Sequence, residues 1–205
     1  KKCSVYLVKI EMKPEIWYDW DNNKNQSVFE NNFYNLHAPD IKEDTTMDAN
    51  MKKRNELLAK TVIKGLESRN MSGYYAQDKE AALKQALELI PNGSTIAMGG
   101  CMSAHEIGLV KALQDGEYNY IDRAKLEPRE GLMAAYDADF FLSSANAVTD
   151  DGVLVNIDGN SNRVSCIAQG PKKVIFIVGI NKVCPDLDSA MKRARNVAAT
   201  ANAQR

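Results

Sequence analysis

Beyond position 46 the chain alternates between two kinds of apolar pattern. Leu57, Leu58, Thr61, Val62, Gly65 and Leu66 recur at helical steps, which predicts a helix leading from Met47 to a stop at Asn70 or Gly73. Residues 73–76 read as a short strand, and Asp78 suits the N-cap of a second helix carrying Ala82, Leu83, Ala86, Leu87 and Ile90. Pro91-Asn92-Gly93 is a turn, after which residues 95–98 form a short apolar run closed by Gly99-Gly100. The same reading predicts a helix over 103–113, a strand over 118–122, a helix over 129–136 and a strand over 140–145. A hairpin pairing 153–158 with 163–168, a last strand over 173–179 and a last helix over 187–197 complete the series. The strands are continuous apolar runs rather than alternating ones. That argues for an α/β fold: an open, mostly parallel sheet with helices on both faces, plus the antiparallel hairpin.

Residues 1–46 differ. They hold both tryptophans, Trp17 and Trp20, and no helical period; 2–11 read as a short strand and 19–26 as polar and turn-like. They are expected to be an N-terminal extension, partly ordered against a body spanning 47–205. The chain opens Lys1-Lys2-Cys3, with no apolar leader, and Met47 is a plausible natural start. At 205 residues there is room for one domain with a sizeable core. A formal net charge of −1 gives no basic footprint for nucleic acid, and the run from Val174 to Ile180 is too short to cross a bilayer. Cys3, Cys101, Cys166 and Cys184 show no paired spacing, so free thiols, no metal site and a cytoplasmic location are expected.

Ligands of open α/β sheets sit beyond the carboxyl ends of strands, a rule that selects four stretches. In the first, Gly99 and Gly100 allow close backbone approach before a helix, and Ser103 with Glu106 reads as a capping box. Cys101 there is expected to be a small buried thiol and His105 a surface imidazole, rather than a nucleophile and its base. The second, 143–149, offers Ser144, Asn146 and Thr149 either to a polar ligand or to turn formation. In the third, the hairpin places Asn156 and Asp158 opposite Ser165 and Arg163 on one face, a compact polar patch closed by 159–162 with Asn162 at the tip. The plain alternative is a solvated cross-strand pair contributing under about 1 kcal/mol. The fourth puts Asn181 and Lys182 after the most hydrophobic strand, where a lysine can hold a phosphate or carboxylate. Lys192, Arg193 and Arg195 read as a solvated helix face.

Taken together, Gly99-Gly100, Glu106-Ile107-Gly108, Asp122-Arg123, residues 143–149, Asp151-Gly152, Asn156-Ile157-Asp158-Gly159, Asn162-Arg163-Val164, Gly170-Pro171-Lys172-Lys173-Val174, Val178-Gly179-Ile180-Asn181-Lys182 and the stretch from Arg193 to Ala199 resemble the LUD domain family, also called domain of unknown function 162. Lactate-utilisation protein C belongs to that family. The resemblance covers about 47–205 and implies a fold similar to glucosamine-6-phosphate deaminase, ribose-5-phosphate isomerase and CoA transferases. It also implies a small anionic ligand near the Gly99 loop, and a link to lactate oxidation beside iron–sulfur partner proteins. Thr200 stands where relatives often carry proline. Many relatives continue into a cysteine-rich tail, which is where an iron–sulfur cluster would belong; no cofactor is evident in the chain itself.

Three functions stay open. The first is a lactate-utilisation component binding a carboxylate or phosphate, with Asp158 and Arg163 orienting it and Glu106 the nearest acid–base group. The second is a free-standing sugar-phosphate isomerase or CoA-transferase-like enzyme. The third is a non-catalytic subunit docking an iron–sulfur oxidoreductase. Catalysis and homo-oligomerisation are left open.

Overall fold

A computed structural model describes residues 5–11, as a backbone strand, and residues 49–204. The aromatic-rich part of the extension and the expected start at Met47 lie outside the described residues.

Strand β1, Val5–Glu11, comes first, and helix α1, Ala49–Glu67, follows. Asn55, Ala59, Val62 and Leu66 form the buried stripe of α1, while Leu57 is 56% exposed, so the inward face is narrower than the apolar spacing predicts. Asn70, in the left-handed region at φ 59°, turns the chain into β2, Ser72–Ala76. Helix α2, Lys79–Leu89, starts as expected on Asp78, whose Oδ1 accepts from the Ala81 N–H at 2.9 Å. Then come β3 (Thr95–Met98), α3 (Met102–Glu106), α4 (Leu109–Asp115), β4 (Asn119–Tyr120), α5 (Pro128–Tyr136) and β5 (Phe140–Ser143). The chain continues through β6 (Ala147–Thr149), β7 (Leu154–Val155), α6 (Asn162–Gln169), β8 (Lys173–Gly179), β9 (Val183–Cys184) and α7 (Leu187–Arg193). The last helix runs on past α7 as a π-helical stretch, Ala194–Ala199.

The main sheet has the order β2-β1-β8-β5-β3-β4. Strands β8, β5, β3 and β4 are parallel, and β1 lies antiparallel between β2 and β8. Alternate residues of the same strands feed two cores. Ile96, Phe140, Leu142, Ile175 and Ile177 face α2, α3 and α4; Ala97, Phe141, Val174, Phe176 and Val178 face α1, α5 and α6. Burial on both faces is why these strands read as unbroken apolar runs. A smaller sheet, β7-β6-β9, is covered by α7 through Ala190 and Ala194.

Two expectations are overturned. The helix predicted over 103–113 is broken at Gly108, whose φ of 79° suits glycine and separates α3 from α4. The hairpin of 153–158 with 163–168 does not form. Instead β7 pairs antiparallel with β6, and 163–168 lie inside α6. Short apolar runs fit both periods: Val164, Cys166 and Ala168 alternate like a strand, yet Arg163, Cys166, Ile167 and Gly170 recur like a helix. The helix prevails because Asp158 Oδ2 accepts from the N–H groups of Arg163 and Val164, at 2.9 and 2.7 Å. Those are donors in its unpaired first turn.

Candidate functional site at the carboxyl ends of the parallel strands

Because β3, β5 and β8 run parallel, Gly99, Ser144 and the Ile180–Lys182 turn emerge at the same end of the sheet. The backbone of Gly99 is the floor. A Cβ added there would stand 3.0 Å from both Arg163 Cγ and the Phe141 ring, so any larger residue would have to push the arginine stem or the ring aside. Gly100 is exposed, with open space where a side chain would project.

Arg163 is the hub. Its side chain and that of Asp158 are only 10% and 9% exposed, and they pair at 2.8 Å. Nε donates to Asp158 Oδ1 at 2.9 Å; Nη1 donates to the Ser144 carbonyl and, at 2.8 Å, to Asn156 Oδ1; Nη2 donates to Asn146 Oδ1 at 2.8 Å. The Ile157 carbonyl accepts from Nη2 as well, at 3.3 Å. Asn146 Oδ1 also takes the Ile157 N–H at 2.9 Å. Of the four polar residues expected to converge, Asn156, Asp158 and Arg163 do, through a helix start rather than a hairpin face, whereas Ser165 lies inside α6 and gives its Oγ to the Asn162 carbonyl at 3.3 Å. Arg163 has a protein acceptor for each of its five donors. Such a group holds the strand ends, the 156–158 segment and α6 together, and has no donor left over for a ligand.

Lys182 contrasts with it. Its Nζ donates to Ser144 Oγ at 2.7 Å, and among the described residues it has no carboxylate within 4.0 Å. Burial lowers its pKa from the ordinary lysine value. The nearby positive charges of Arg193 and Arg163 add to that, against an opposite pull from Cys101 and Glu106. Arg193 reaches in from α7, giving Nε to the Asn181 carbonyl at 3.2 Å and Nη1 to the Asn146 carbonyl. Reading 192–195 as a solvated face missed this residue. The missed signal was helical: Arg193 lies one turn from Ala190 and beside Ala194, both fully buried.

The remaining candidates divide. Asn181 is exposed and contributes its carbonyl; Asn162 opens α6 and is exposed. Thr149 is fully buried and engaged inside its own turn, donating to Asp151 Oδ1 and accepting from the Val153 N–H at 2.8 Å. That turn is pressed on α1, where Gly152, at φ 87°, and Gly65 leave no room for a Cβ on either. The capping box is corrected: α3 starts after Cys101 without a side-chain cap, Ser103 already lies inside the helix, and Glu106 is exposed in its last turn. Cys101 is buried, and its thiol is pushed up to about 11, chiefly by burial, so it stays protonated near neutrality; His105 is exposed. A cleft of about 280 Å³ between Arg69, Met71, Leu154 and Ile167 borders this region through Asn156.

A sequence model of the LUD domain family matches residues 59–205. The chain belongs to the LUD domain family. No curated protein and no solved structure gives a significant match. Among the described residues of this LUD domain, no helix is long and apolar enough to cross a membrane.

Proposed function

We propose that this LUD domain binds a small carboxylate- or phosphate-bearing metabolite at the ends of β3, β5 and β8, in a role connected with lactate utilisation. Lys182 supplies the charge, Ser144 and the open Gly100 backbone border the ligand, and the Asp158–Arg163 unit holds that border in place. The observation that carries this reading is the half-buried Lys182 ammonium, which has a hydroxyl partner but no carboxylate, beside a second cation, Arg193, that also lacks one among the described residues. A partly desolvated cation without a counter-ion is costly, and an entering anion offsets that cost.

Calorimetric titration with lactate, pyruvate and inorganic phosphate tests it. At least one is expected to bind and to raise the melting temperature. Lys182→Met should weaken that binding by roughly ten- to a hundredfold, the worth of one hydrogen bond to a charged group. Equal binding by the variant, or no binding of any of the three anions, would sink the reading.

A further inference from the structure

The Lys182 amine and the Ser144 hydroxyl are more than an anion clamp requires. A clamp needs only a positive charge, whereas the Lys182 Nζ is half-buried and held 2.7 Å from a hydroxyl oxygen, a group able to carry a proton, rather than against a carboxylate. Two guanidinium groups stand close to it. Arg163 is closed off by its own acceptors, while Arg193 keeps Nη2 without a partner among the described residues. An amine set among cations, beside a hydroxyl, is suited to nucleophilic attack on a carbonyl whose other end is an anion.

We propose that Lys182 forms an imine with the carbonyl carbon of a 2-oxo carboxylate, Arg193 meeting the carboxylate and the Ser144 hydroxyl relaying the proton. This rests on the anion-binding reading above and narrows its substrate class. The neutral amine attacks the carbonyl carbon, forming the N–C bond as the carbonyl π electrons move to oxygen. That oxygen takes the proton released by nitrogen, by way of Ser144 Oγ, to give a carbinolamine. A second proton lets the oxygen leave as water, and the nitrogen lone pair forms the iminium. From ammonium and carbonyl the products are iminium and water, with no oxidant or reductant needed. The burial that lowers the Lys182 pKa, with the charges of Arg193 and Arg163 adding to it, raises the fraction of neutral amine. The iminium is an electron sink for whatever bond lies next to it, which is the use of such a group in a site for 2-oxo acids.

The experiment is reductive trapping with pyruvate and cyanoborohydride near neutral pH, read by intact mass and peptide mapping. It is run on the protein and on Lys182→Arg and Ser144→Ala, with melting curves for all three. One adduct on Lys182 is expected, absent in Lys182→Arg, formed roughly a hundredfold more slowly in Ser144→Ala, and suppressed by excess phosphate. Lys182→Arg keeps the charge, so pyruvate should still raise its melting temperature. A pyruvate-induced melting shift without an adduct on Lys182 overturns the imine and leaves anion binding standing. Neither shift nor adduct overturns the imine, and the anion-binding reading falls with it if lactate and phosphate also fail to bind. Adducts spread equally over the exposed Lys52, Lys111 and Lys172 also overturn it, and the mapping on unmodified protein stands whether or not a variant folds.

Discussion

Two cationic corners sit at the same end of the sheet and are built in opposite ways. At the start of α6, Arg163 meets a carboxylate, two side-chain amide oxygens and two carbonyls, and is 9% exposed. At the end of β8, Lys182 meets a hydroxyl, and Arg193 meets two carbonyls. Both corners join segments distant in the chain, but only the first neutralises itself. A self-satisfied charge is structural, because breaking it leaves a buried ion without compensation. An unsatisfied charge contributes little to the fold, and its remaining donors are available to something else. The exposed Arg69–Asp151 pair has the same 2.8 Å separation as Arg163–Asp158 but side chains 43% and 63% exposed, so length does not distinguish the two kinds of bridge; burial and the number of partners do.

The comparison breaks most visibly through Asp158→Ala. That change strands the Arg163 guanidinium and removes the acceptor for two N–H groups of α6, so a loss of about 3–5 kcal/mol is expected in chemical denaturation; a loss under 1 kcal/mol would mean that Arg163 is not the hub described. Gly99→Ala comes next, expected to cost about 1–3 kcal/mol by pushing the Arg163 stem and Phe141 apart, measured the same way. Lys182→Met should act on the other corner alone, leaving the denaturation midpoint unchanged or raised while anion affinity drops.

The pH dependence sharpens the contrast. Lys182 has a lowered pKa in the free protein, and an anion favours its charged form. Phosphate or lactate affinity is therefore full below that pKa and falls as pH rises through it, whereas trapping by pyruvate should rise over the same range. Calorimetry and trapping rates on one protein sample would show the two opposite slopes. The smallest effect is expected for Lys172→Ala, which removes an exposed pair with Asp139 and should leave melting unchanged.

Much of the scaffold was legible in the chain. The runs at 95–98, 140–143 and 173–179 are strands whose interior positions are buried on one face or the other, and Asp78 caps its helix as its type and position suggest. Stretch 162–169 was not legible, because eight residues are too few to separate a period of two from one of 3.6. The break at Gly108 was also hidden: a glycine inside an apolar pattern reads equally as a tolerated helix residue and as a left-handed stop. Asn156, Asp158 and Arg163 were recognised as a group on a wrong geometry, which succeeded because their spacing suits either a hairpin face or a helix start.

The chain by itself determined the α/β class, the family, and which strand ends carry polar groups, since those follow from local periodicity and residue type. Only the tertiary structure decided which cation is spent and which is spare. On paper Arg163, Lys182 and Arg193 are each a basic side chain with one positive charge, but the number of acceptors each one meets depends on segments brought from Ser144, Asn146 and Asp158. Desolvation and hydrogen-bond satisfaction are properties of that assembled neighbourhood, not of any stretch of sequence.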